Sequence, residues 1–132
     1  MLTIPNGLKI SGVAGDHFRK LKFHRAARSF LNSLAAALKL PSSAYQLRTS
    51  QGGPAVCGET VLHGEALYVC VFEGWQGEVR VLYRACAGRR DYTGGPNHYV
   101  QMSELETVVN QARFVDACRE LMQMSDELRL TA

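Results

Sequence analysis

The chain has 132 residues, 46% of them apolar and 20% charged, which is enough for one domain (1–132) with its own core. No run reaches the ~18–20 apolar residues that a membrane-spanning helix needs, and the opening MLTIPNGLKISGVAG has neither the basic stretch nor the apolar core of a secretion signal. No membrane role is therefore expected, and the cytoplasm is the expected compartment. The net charge of +3 hides an asymmetry: residues 1–50 hold eight basic side chains against Asp16, a balance of +7, and residues 51–132 hold seven against eleven acids, a balance of −4. Such polarity marks either an anionic partner on one side or two complementary halves of one domain.

Residues 1–15 are punctuated by Pro5-Asn6-Gly7 and two further glycines, and read as an N-terminal arm or short strand. Asp16 is a suitable N-cap. Phe23, Ala27, Phe30, Leu34 and Leu38 then recur at helical spacing, and Pro41 closes a predicted helix over 16–40. Arg19, Lys22, Arg25 and Arg28 form a basic face along it. That face either follows a nucleic-acid backbone or is simply solvated.

Tyr45–Thr49, Val56–Leu62, Leu67–Phe72 and Val79–Cys86 carry strand patterns, and His98–Met102 can extend as a short last strand. A tight turn over His63-Gly64-Glu65-Ala66 would set Leu62 opposite Leu67 and Thr60 opposite Val69, with His63 at an exposed turn tip. One side of that hairpin then carries Thr60, Leu62, Leu67, Val69 and Val71. The other carries Cys57, Glu59, Val61, Tyr68, Cys70 and Phe72. Both sides are apolar enough to need cover, so the helices take opposite sides, the sheet curls, or the chain forms a homodimer.

Ser103-Glu104-Leu105-Glu106 has the pattern of a capping box. Leu105, Val108, Val109, Ala112, Val115 and Met122 fall on one side of a helix predicted from Ser103 to about Met124, with 126–132 as a tail. The expected fold class is α+β: a helix, a four-stranded antiparallel meander and a second helix, the sheet packed with two helices.

The four cysteines (Cys57, Cys70, Cys86, Cys118) contain no Cys-x-x-Cys pair and match no zinc template. They are expected as apolar core residues, with a disulfide as the alternative. Cys86 and His98, with Cys57 or Cys70, have a spacing too nonspecific to assign a zinc ion. No metal and no cofactor is expected. The sequence also lacks the signature loops of P-loop and dinucleotide-binding proteins, and those of serine hydrolases and metalloproteases.

The densest chemistry lies in residues 84–99, RACAGRRDYTGGPNHY. A connector needs the glycines, proline and asparagine, but not the adjacent arginines, tyrosines and histidine. Gly94-Gly95 permits backbone N–H groups to surround an anion. Arg89 or Arg90 can bind a phosphate or carboxylate bidentately, and Tyr92 or Tyr99 can stack a base or sugar. The ligand-binding candidates are Arg84, Arg89, Arg90, Asp91, Tyr92, Asn97 and His98, with Glu59 and His63 flanking. The bland alternative is a solvated loop in which Asp91 pairs with an arginine.

Together with residues 53–63, GPAVCGETVLH, this motif resembles short uncharacterised proteins from bacterial genomes and mobile elements over about residues 44–102. The resemblance implies a bacterial or mobile-element origin and transfers no catalytic residue. The expectation is a non-enzymatic domain that binds an anionic ligand or partner. Two alternatives stand beside it. One is a small enzyme with His98 as acid/base and Arg89 or Arg90 holding an anionic substrate. The other is a mobile-element protein that grips or inhibits a protein or nucleic-acid partner.

Overall fold

A computed structural model of the chain describes residues 2–5, 8, 17–50, 58–74, 76–92 and 94–131. The first helix, α1, is His17–Ala37. Five strands follow: β1 Tyr45–Ser50, β2 Glu59–Gly64, β3 Leu67–Glu73, β4 Val79–Ala85 and β5 His98–Gln101. A 3₁₀ turn, Met102–Glu106, leads into α2, Val108–Thr131. Asp16 and Cys57 lie outside the described residues, as does most of the N-terminal arm.

The strands form one antiparallel sheet in the order β1-β2-β3-β4-β5. The architecture is α+β as expected, with five strands rather than four because His98–Gln101 pairs fully along β4. The β2–β3 register is two residues further on than the tight-turn reading: Leu62 opposes Val69 and Thr60 opposes Val71. β2 continues through His63 and Gly64, and the turn falls on Glu65-Ala66. A shift of two preserves the side on which each residue lies. The Thr60, Leu62, Leu67, Val69 and Val71 side is therefore as expected, and β4 adds Val79, Val81, Tyr83 and Ala85 to it.

Both helices cover that one side. Phe23, Ala27, Phe30, Leu31 and Leu34 of α1 join Phe114, Val115 and Cys118 of α2 and the inward strand residues in a single core. Phe30 and Phe114 stack at 6.4 Å between ring centroids, and Phe114 meets Tyr83 edge-on at 5.1 Å. Buried His24 bonds Thr60 through Nδ1 at 2.8 Å, and Arg19 pairs with Glu73 at 2.6 Å. The five positions with core spacing in the predicted helix (Phe23, Ala27, Phe30, Leu34 and, just past the end of α1, Leu38) are all buried.

The helix ends depart from expectation. α1 closes in a Schellman motif: Leu40 N–H donates to Ala35 O and Lys39 N–H to Ala36 O, with Lys39 in the left-handed region at φ 59°. Ser103 caps no α-helix. Thr107 is extended (φ −97°, ψ 146°), and its Oγ1 accepts the Asn110 N–H at 3.2 Å, so the helix starts at Val108. The break resets the helical phase. Leu105 is buried by the 3₁₀ turn, whereas Val108 and Val109 are 66% and 60% exposed. The buried stripe of α2 is instead Gln111, Phe114, Val115, Cys118, Leu121 and Ser125. Residues 126–131, expected as a tail, continue the helix. Ser125 holds it against the sheet by donating its hydroxyl proton to Cys86 O.

Among the described residues no helix is long and apolar enough to cross a membrane. Cys70, Cys86 and Cys118 are buried thiols. Burial pushes the Cys118 thiol up to about 12. Burial and the neighbouring Glu59 raise that of Cys70.

Candidate functional site

With both helices on one side, the other side of the sheet is left to its own side chains. Ladder pairing places Arg48, Val61, Cys70, Leu82 and Tyr99 in one row across all five strands. The flanking rows bring His63, Tyr68 and Arg84 to one side of it, and Glu59, Phe72 and Arg80 to the other. The floor, Val61 and Cys70, is buried. Large aromatic and guanidinium groups stand around that floor.

The guanidiniums lie against rings. Arg84 sits 4.2 Å from the Tyr68 centroid and Arg48 5.1 Å from that of Tyr92. Arg80 is 4.7 Å from Tyr99 and 5.9 Å from Phe72. Stacking on a ring leaves the edge of a guanidinium able to donate in plane. Among the described residues the ion pairs are Arg19–Glu73, Arg89–Glu65 and Arg119–Asp116. Arg48, Arg80 and Arg84 thus have no carboxylate partner there. The Nε atoms of Arg80 and Arg84 are buried without a hydrogen-bond acceptor. Glu59 is the one carboxylate among the described strand residues of this side, and it accepts from Cys70 Sγ at 3.3 Å.

His63 organises one corner. It is fully buried (0% exposed), not at an exposed turn tip, because β2 runs past it and the 86–97 loop folds over it. Its Nε2 lies 2.9 Å from Gly88 O and its Nδ1 2.7 Å from Arg48 Nη2. A carbonyl can only accept and a guanidinium can only donate, so Nε2 carries the proton and Nδ1 offers its lone pair. The ring is therefore held neutral. Burial lowers its pKa first, and the positive charges of Arg48 and Arg84 push the same way against the Gly88 carbonyl. Arg48 also donates through Nη1 to Tyr92 Oη at 2.9 Å. The Tyr92 ring meets His63 edge-on at 5.4 Å.

The loop is built by Asp91. Its carboxylate accepts the N–H groups of Ala87 and Gly94, both at 2.9 Å. Gly95 N–H donates to Ala85 O at 3.1 Å. Gly94 has φ +51°, and a Cβ there would collide with Ala85 O and press on the Arg84 side chain. Glycine is required at that position both by the backbone and by the close approach.

The structure sorts the candidate residues into separate places. Arg84 and Tyr92 lie in the corner with Arg48, His63 and Tyr68, beside a groove of about 360 Å³ lined by Arg48, Thr49, Ser50, Glu59, Val61, Tyr68 and Tyr92. Arg89 turns the other way, pairing with Glu65 at 2.9 Å and bonding Ser43 O. Arg90 and Asn97 are exposed. His98 is on the helix-covered side, tilted against Tyr83 at 5.4 Å. Of the basic helix face, Lys22, Arg25 and Arg28 are exposed and Arg19 is turned into its pair with Glu73. Arg28 donates to Thr49 Oγ1 at 3.1 Å. That face lies on the helix-covered side of the sheet and reaches the groove only at Thr49. Among the described residues no three His, Cys, Asp or Glu side chains converge as a metal site.

Arg48, Arg80 and Tyr68 were missed from sequence because each sits in a strand pattern and looks like an ordinary outward residue. The readable signal was alternation: Tyr68 and Phe72 share one parity in β3, and Arg80 and Arg84 share one in β4. Searches against family models, curated proteins and solved structures found no match to this chain.

Proposed function

We propose that the chain is a binding domain for an anionic ligand, received on the helix-free side of the sheet at the corner formed by Arg48, Arg84, Tyr68 and Tyr92. One observation carries this reading. Three guanidiniums, Arg48, Arg80 and Arg84, share one side of the sheet without a described carboxylate partner, each laid on an aromatic ring. Desolvating a cation is costly when nothing compensates it. Rings compensate in part, and an arriving anion completes the compensation with charge-assisted hydrogen bonds.

The corner is preorganised. His63 fixes Arg48 from one side and Tyr92 from the other, so little side-chain freedom is left to lose on binding. The loop contributes its shape through Asp91 and Gly94 and its ring through Tyr92. Arg90, exposed on the same loop, adds positive charge. The reading is of a binding protein because the ionisable group at the centre, His63, has both nitrogens committed to neighbours.

Inorganic pyrophosphate titrated by calorimetry at low salt tests the proposal. Wild-type protein is expected to bind it, and Arg48→Gln to weaken binding by at least about tenfold, the loss of one charge-assisted contact. Absence of wild-type binding, or equal binding by Arg48→Gln, overturns the reading.

A further inference from the structure

The anion-binding corner occupies only part of a longer surface, and the inference drawn here rests on that reading. We infer that the helix-free side of the sheet receives single-stranded nucleic acid, with phosphates at Arg48 and Arg80, the buried Arg84 adding its charge from beneath, and bases stacked on Tyr92 and Tyr99.

Length comes first. Arg48 on β1 and Tyr99 on β5 stand in one row across five strands. At ~4.8 Å per strand they are about 19 Å apart. The second arginine–aromatic cluster, Arg80 with Tyr99 and Phe72, lies at the far end of that row from Arg48 with Tyr92. A single phosphate or carboxylate fills one corner, whereas a ligand using both clusters must repeat its charge along a chain.

The rings decide the kind of chain. Tyr92 and Tyr99 are 60% and 48% exposed, which is high for aromatic side chains fixed by neighbouring guanidiniums. An arginine lies over each ring, Tyr92 also meets His63 and Tyr99 meets Phe72 edge-on, and the remaining ring surface is exposed. Exposed rings interleaved with cations match a strand whose bases are unstacked: each base finds a π-face and each phosphate a guanidinium. A duplex hides its bases, so it would use the arginines and leave the tyrosines idle. Between the clusters, Val61, Cys70 and Leu82 give a low apolar floor for sugars and base edges. Binding through ring faces and guanidiniums is sequence-tolerant, because every base has a π-face and every nucleotide a phosphate.

The test is fluorescence anisotropy with labelled oligouridine and oligothymidine of about twelve nucleotides, a length within the known range of single-strand sites. A duplex of equal length is run beside them. Single strands are expected to bind more tightly than the duplex. With two phosphate contacts, affinity should fall about sevenfold between about 50 and about 200 mM salt. Tyr99→Leu should lose between about fivefold and a hundredfold, Tyr99→Phe should restore binding, and neither should alter pyrophosphate binding or thermal unfolding. Arg80→Gln should weaken binding and flatten the salt dependence.

Equal or tighter binding of the duplex overturns the inference. So does oligonucleotide binding that is indifferent to Tyr99→Leu. Competition by polyglutamate as effective as that by oligouridine also overturns it, pointing to an acidic protein segment as the partner. Pyrophosphate binding without oligonucleotide binding sinks this inference and leaves the anion-binding proposal standing; absence of both sinks the two together.

Discussion

His63 shows how a single side chain joins stability to the candidate site. Its buried ring is neutral because one neighbour can only accept and the other can only donate. Its folded-state pKa is lowered from 6.5, chiefly by burial. The unfolded chain therefore takes up the proton at higher pH than the folded one, and stability rises with pH across this range. The contribution is complete above about pH 6.5 and declines as the pH falls below that value. Denaturant unfolding between pH 7.5 and 5.5 should show wild-type stability falling with acidity. His63→Gln, which cannot titrate, should show a shallower fall. A wild-type profile no steeper than that of the variant would exclude His63 as the titrating group. Protonation of the folded ring, which takes place at lower pH than in the unfolded chain, places a positive charge against Arg48, so anion affinity at the corner should rise only at pH below that of the stability response.

Among the elements, the helix ends are the instructive places. Lys39 occupies the position where a Schellman motif favours glycine, at φ 59°. An L-residue with a Cβ is strained there by ~1–2 kcal/mol, partly offset for glycine by its greater freedom when unfolded. Lys39→Gly is thus expected to stabilise the protein by about 1 kcal/mol in denaturant melts. A loss of stability would show that the Lys39 side chain makes a compensating contact. The other misjudged end, at α2, has a related cause. Ser103-Glu104-Leu105-Glu106 fits a capping box, but Glu104 reaches back to the Gln101 N–H at 3.1 Å and stabilises a 3₁₀ turn. Thr107 then takes the cap. Two competing local solutions existed, and tertiary packing of Met102 and Leu105 into the core selected one.

At the level of the whole molecule, the decisive fact is that both helices lie on one side of the sheet. Phe114 is the joint, touching Phe30 of α1 and Tyr83 of β4. Phe114→Ala should cost ~3–5 kcal/mol, the range for removing a buried aromatic side chain, and should loosen α1 and α2 together in hydrogen exchange. Loosening confined to α2 would show that the two helices are held independently. Because the helices leave the opposite side uncovered, its apolar floor is shielded by its own arginines and tyrosines and by the 86–97 loop.

The sequence by itself determined the α+β class, the core stripe of α1, the sidedness of the β2–β3 hairpin and the peculiarity of residues 84–99. Each rests on local periodicity or composition, which acts over a few residues and is written directly in the chain. The grouping of Arg48, His63, Tyr68, Arg84 and Tyr92, and the removal of Arg89 and His98 to other places, were decided by tertiary structure. Those groupings depend on strand pairing between residues as far apart as Arg48 and Tyr92 and on which side two helices choose. Both are settled by packing over the whole domain rather than by any local pattern.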